Sequence, residues 1–282
     1  MSIIIFLIIL SVLVIVHELG HFGTAKFFGI RVDEFGLGYP PRARKLFRFR
    51  GTDFTLNWLP FGGFVKIFGE NYTEELSATN SSDIPSEHGQ NLRQKVPPES
   101  LQNHSRPIQG AVLLAGVVGN FLFAWFLLAL IFNLGLSAPL SAVKPEGLPF
   151  IQSISEGLEA SVKITADTAV ALGTLLSQAV VGKANLSELS GPVGIVGMVG
   201  DVTKLGVGYL LTFTALISLN LCIVNLLPFP ALDGGRLLFV IIESVTRKRI
   251  PPRIFNMLNT VGFGLLIFLM ILITIHDVRN IL

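Results

Sequence analysis

Two histidines four residues apart, with a glutamate beside the first, carry the clearest chemistry in this chain: His17-Glu18-Leu19-Gly20-His21. On a helix, residues four apart share a face, so both imidazoles can ligate one zinc ion. Glu18 stands next to the first of them and can take a proton from a water held by that ion. The preceding run, Ile3 to Val16, is apolar. Ionisable groups inside a membrane span are costly and are functional by default, which disfavours a chance occurrence of the pentapeptide here.

Catalytic zinc takes three protein ligands and keeps a position open for water. The best remaining candidate is Asp233, within Asn225-Leu226-Leu227-Pro228-Phe229-Pro230-Ala231-Leu232-Asp233-Gly234-Gly235. Pro228 and Pro230 remove two backbone donors and push the residues before them out of helical geometry. The chain should therefore turn extended here and direct Asp233 toward the histidines. Gly234 and Gly235 permit a tight turn or a close backbone approach. The bland alternative is an aspartate capping the helix that follows.

The elements that must position these groups lie in a membrane. Of 282 residues, 51% are hydrophobic and 14% charged, against about a quarter charged in soluble domains. The composition predicts a polytopic α-helical membrane protein. Net charge is only +2, which points to membrane topology and to no nucleic-acid partner. The single cysteine, Cys222, lies in an apolar run and forms no internal disulfide. Met1–Val16 lacks a basic leader region and runs on into the metal motif, so it does not read as a cleaved signal peptide.

Four apolar segments can cross about 30 Å of hydrocarbon: approximately Ile3–Phe28, Ile108–Leu134, Val207–Leu227 and Phe255–Ile275. A fifth, Ile164–Val181, contains Asp167, Ser177 and Gln178 and reads as an extracytoplasmic amphipathic helix, with a fifth span as the alternative. Basic residues crowd the loops after the first span (Arg42, Arg44, Lys45, Arg48 and Arg50 among them) and after the third (Arg236, Arg247, Lys248, Arg249, Arg253). The positive-inside rule puts both loops in the cytoplasm, both termini outside, and the metal motifs toward the cytoplasmic side of a plasma or inner membrane.

The expected segments are 1–69 (first span and β-region), 70–107 (a polar, flexible linker), 108–135 (second span), 136–206 (a short extracytoplasmic stretch) and 207–282 (the last two spans). Within the first loop, Lys45–Arg50 and Asp53–Asn57 alternate polar and apolar residues about Gly51-Thr52, which predicts a β-hairpin. The glycine-rich Trp58–Gly69 that follows either dips into the membrane near the metal or forms an interfacial loop anchored by Trp58. His88 and His104 read as solvated loop residues, and His276 and Asp277 as interfacial and solvated. Gly116, Gly119 and Gly135 read as close helix-packing positions. Asn120 either bonds across helices or supports the site.

Taken together, His17–His21, Asn225–Gly235 with its Leu-Asp-Gly, Leu59–Lys66, Ala115–Asn120 and Leu189–Ile195 resemble the site-2 protease family of intramembrane zinc metalloproteases (peptidase family M50), in particular its RseP-like bacterial members. The likeness covers nearly the whole chain. It implies Zn2+ at His17, His21 and Asp233, Glu18 as general base, and Asn225 contacting substrate. It also implies a membrane-reentrant β-structure, with Pro60, Phe61, Gly62, Gly63, Phe64 and Val65 binding an extended substrate. The substrate would be a transmembrane protein, of the anti-sigma-factor-like or signal-peptide-like single-span kind.

Two departures stand out. Such proteases commonly carry PDZ domains between the second and third spans, and the seventy or so residues from Gly135 to Gly206 leave no room for one. Val117 stands where the family usually has proline. The rival functions are an intramembrane metal-ion transporter and a catalytically inactive scaffold. Glu18 between the ligands argues against both.

Overall fold

The structure, a computed structural model, describes residues 1–70, 98–139, 146–182, 191–248 and 250–281. Most of the linker, with His88, and the Leu189-Ser190 end of one motif lie outside the described residues. The elements are α1 (Ser2–Phe27), β1 (Val32–Phe49), β2 (Thr52–Ile67), α2 (Arg106–Leu134), α3 (Phe150–Val180), α4 (Pro192–Leu205), α5 (Val207–Leu226), α6 (Asp233–Thr246) and α7 (Pro252–Ile281).

Among the described residues, four helices are long and apolar enough to cross a membrane: α1, α2, α5 and most of α7. They match the four expected spans to within a few residues at each end. The helix α3 is not among them. It begins at Phe150, well before the expected Ile164. Apolar residues at Ile151, Ile154, Leu158 and Val162, interleaved with Glu156, Glu159 and Lys163, already follow the helical period there. Between Gly135 and Gly206 the described residues form two helices and no strand.

Small residues set the depth of the central packing. Gly20 abuts the Ala115 carbonyl and Gly119 abuts the Val16 carbonyl, so α1 and α2 cross with their backbones nearly touching. On the far half of α2, a core of Ala124, Leu127, Leu128 and Ile131 meets Ala215 and Leu219 of α5. The outer helix α7 packs sparsely, with 6% of its span buried. It leaves an apolar surface of the kind that lipid covers.

The helix α5 ends at Leu226, just before Pro228, and the chain restarts as α6 at Asp233. Side chains on Gly234 or Gly235 would collide with the carbonyls of Leu226, Leu227 and Phe229, so both glycines serve close backbone approach. Ala231 between them and the prolines has a φ of +75°. Its N–H donates to Asn259 Oδ1 of α7 at 3.2 Å, which helps hold that strained conformation.

Asp277 corrects the reading of the C-terminal end. It is 7% exposed, not solvated. Its carboxylate accepts the backbone N–H groups of Gly191 (3.2 Å) and Gly194 (2.8 Å) at the start of α4. A carboxylate there satisfies orphan donors and meets the positive end of the helix dipole. No local sequence signal joins residues so far apart in the chain.

The hairpin forms as expected, with Phe49 paired to Thr52 and Lys45 to Thr55, but its strands run much further. Both bend back on themselves. Glu34 to Leu37 pair with Asp53 to Leu56 on one side and with Lys66 to Gly63 on the other. The 63–67 segment therefore has a strand partner on one side only among the described residues. It lies against the middle of α1: Gly62 faces Val14, Gly63 faces Ile15, and the Gly62 N–H donates to Ser11 Oγ at 3.4 Å. At about 1.5 Å per residue, Ser11 is some 9 Å further along the span than His17. The glycine-rich segment is thus strand, alongside a membrane-length helix.

Ion pairs join the two basic loops at one end of the bundle. Arg106 pairs with Glu243 at 2.7 Å, and Arg236 pairs with Glu70. Lys26 at the end of α1 donates to the Arg50 carbonyl at the hairpin tip, at 3.0 Å.

Candidate active site

The break between α5 and α6 brings Asp233 to the histidine face of α1. His17 Nε2 lies 2.9 Å from Asp233 Oδ2, and His21 Nε2 lies 3.3 Å from the same oxygen. The two Nε2 atoms are 3.1 Å apart. Both histidines are buried, each 7% exposed. Three donor atoms thus converge from residues 17, 21 and 233, the one such grouping of potential metal ligands among the described residues.

The donor set fits zinc. Two imidazole nitrogens and one carboxylate oxygen are common zinc ligands, and their mutual separations are of the size that one small cation spans. Gly116 of α2 supplies the room. A Cβ there would sit 2.6 Å from His17 Nε2 and Cε1, and closer still to His21 Nε2. The missing side chain therefore keeps open the space next to both nitrogens. Gly116 is more than the packing position that the sequence suggested.

The orientation of His21 is fixed from behind, since its Nδ1 donates to the Val112 carbonyl at 2.8 Å. That bond leaves the Nε2 lone pair directed into the site.

Glu18, half-buried, lines a cleft of about 410 Å³ with His21, Asp233, Tyr39, Arg236 and the Phe64–Ile67 segment. Burial raises the Tyr39 phenol above its ordinary value and the nearby Glu18 carboxylate adds to this, so the hydroxyl stays protonated.

The structure gathers some expected site residues and not others. Glu18, His21, Asp233, Phe64 and Val65 share the cleft, and His17 closes the trio behind it. Gly62 and Gly63 pack on α1 instead. Asn225 sits half-buried in the last turn of α5, outside the lining. The side chains of Pro60 and Phe61 lie outside the described set. Sequence reasoning missed Arg236, Tyr39 and Glu70. Arg236 falls three residues after Asp233 on one helix, a spacing that shares a face and was there to be seen. Tyr39 and Glu70 arrive through the bent sheet and leave no such signal.

The model of peptidase family M50 matches residues 5–269, nearly the whole chain. The chain belongs to peptidase family M50. A Clostridium perfringens relative, named provisionally as a zinc metalloprotease, is 33% identical over 99% of this chain and 98% of its own. Zinc metalloprotease RasP of Geobacillus kaustophilus is 26% identical, covering 99% and 98%. Regulator of sigma-W protease RasP of Bacillus subtilis is 25% identical over the same shares. That last alignment runs over 418 positions against 282 residues here, so the relative carries residues that this chain lacks. This M50 peptidase is an intramembrane zinc metalloprotease. Neither transport nor an inactive scaffold is favoured.

Proposed function

We propose that His17, His21 and Asp233 hold the zinc ion and that Glu18 is the general base for hydrolysis of a peptide bond within a substrate's transmembrane segment. A zinc ion held by these residues would supply a water of lowered pKa and a Lewis acid for the scissile carbonyl. Glu18 takes the water's proton and returns it to the leaving amine. Tyr39 and Arg236, on the cleft wall, are placed to donate hydrogen bonds to the substrate backbone. The carrying observation is the convergence of the three donor atoms beside Gly116, with Glu18 on the same cleft.

A substrate helix resists cleavage because its backbone bonds are satisfied internally. An unwound substrate needs replacement partners at membrane depth. The one-sided 63–67 segment, which lines the cleft through Phe64–Ile67, supports strand addition as their source. In this reading Pro60 to Val65 form a membrane-reentrant element and Asn225 completes the substrate contact from α5. The substrate is a single-span membrane protein. The sigma-W regulator name of the Bacillus subtilis relative supports an anti-sigma-factor-like class.

Gly63 tests the strand. A Cβ there would stand 2.9 Å from the Gly36 carbonyl. Gly63→Val should lower cleavage of a model transmembrane substrate about tenfold by distorting the edge that substrate pairs with. Zinc content should stay at the wild-type level. Unchanged cleavage, or cleavage lost together with zinc, would remove the strand from the account.

The positive-inside pattern and the ion pairs joining the two basic loops support a cytoplasmic position for those loops, with both termini outside. The chain then divides as 1–69, 70–107, 108–135, 136–206 and 207–282 around one membrane core. In a Cys222→Ala background, an impermeant thiol reagent applied to intact cells should label Glu159→Cys and spare Lys248→Cys. The reverse pattern would overturn the orientation.

A further inference from the structure

Val112, Gly116 and Asn120 fall at four-residue intervals on α2, so they form one stripe facing the two histidines. Val112 orients His21 through its carbonyl and Gly116 leaves the space. Asn120 is wholly buried and its Nδ2 stands 3.2 Å from His17 Nδ1. Among the described residues, its Oδ1 has no hydrogen-bond partner. Its own backbone carbonyl accepts from Ser218 Oγ of α5 at 2.8 Å, which ties this point of α2 to a third helix.

The two histidines face different kinds of partner. A carbonyl only accepts, so His21 carries its proton on Nδ1 and offers Nε2 as a lone pair. For His17 to offer Nε2 as well, its Nδ1 must also carry the proton and find an acceptor. Among the described residues, Asn120 is the side chain within reach there. Rotation of its amide by a half-turn about Cβ–Cγ exchanges Nδ2 for Oδ1 at nearly the same position.

We propose that Asn120 is the positioning residue of His17: its Oδ1 accepts the Nδ1–H and so fixes the tautomer that presents Nε2 to zinc. An amide suits the place because it holds the ring without adding a charge to a buried site. Partners of this kind orient metal-bound histidines generally, and their loss weakens metal binding about 10–100-fold. This inference rests on the reading of His17 as a ligand.

The experiment uses the full chain purified in detergent, with zinc affinity measured by competition against a chromophoric chelator. Asn120→Leu keeps the branched shape and removes the acceptor, and should weaken zinc binding at least tenfold. Asn120→Asp retains an acceptor and should bind zinc within about threefold of wild type. A purely structural role would let neither variant separate from the other, because both alter the same buried contact. Equal affinities for Leu, Asp and wild type, or a loss with Asp as large as with Leu, would overturn the proposal. Should Asn120→Leu fail to fold, the Asp variant decides alone: a tenfold loss refutes it and retention supports it. His17→Ala is measured in parallel. If it too leaves zinc affinity unchanged, the ligand assignment itself has failed. If it loses zinc while Asn120→Leu does not, only the role of Asn120 falls.

Discussion

Glu18→Gln should be inactive and still hold zinc. Glutamine keeps the shape of the side chain, and Glu18 is not among the three converging donors. What it loses is the capacity to accept a proton. General acid–base groups contribute about 10²–10⁴-fold, so kcat should fall roughly a thousandfold. Cleavage of a purified single-span substrate, followed beside metal analysis of the same preparation, checks both halves. Substantial cleavage by the glutamine variant would remove Glu18 as base. Loss of zinc would make it a ligand instead.

Gly116→Ala should be as damaging by an unrelated route. One added carbon would fall 2.6 Å from His17 Nε2 and against His21 Nε2. The backbone of α2 has little freedom to withdraw, because Gly20 presses on Ala115 and Gly119 on Val16. The imidazoles must therefore turn aside. Zinc affinity should drop more than tenfold and proteolysis should fall to background, while helical content stays near wild type. Gly23→Ala, on α1 with open space around its Cβ position, is the matched control and should change neither. Normal zinc binding by Gly116→Ala would show that the cradle lies elsewhere.

How legible these features were depends on the distance over which each is encoded. The spans and the pair His17 and His21 follow from local periodicity, and the structure places them within a few residues of expectation. Pro228 and Pro230 announce the break that frees Asp233, because proline acts on its own backbone. The helix before Ile164 was equally local and was overlooked, since charged residues masked its apolar stripe. Other features had no local trace. Asp277 meets the start of α4 from more than eighty residues away. Tyr39 and Glu70 reach the cleft only because β1 and β2 bend back. The sequence pattern also could not separate Gly116, whose empty side faces His17 and His21, from Gly20 and Gly119, whose empty sides serve backbone packing.

In the proposed mechanism, this peptidase selects substrates at the cleft and the edge beside it. Specificity should then follow how readily a substrate helix unwinds, as binding energy must offset that distortion.

The proposed centre is one ion held by three residues from opposite ends of the chain. Its most direct test is the zinc content of the purified full-length protein, wild type against Asp233→Ala, with cleavage measured before and after chelation. Wild type should carry about one zinc per chain, lose activity to the chelator and regain it with added zinc. Asp233→Ala should purify with little zinc and should not be restored. Full zinc occupancy in Asp233→Ala, or wild-type cleavage that survives complete removal of zinc, would contradict it.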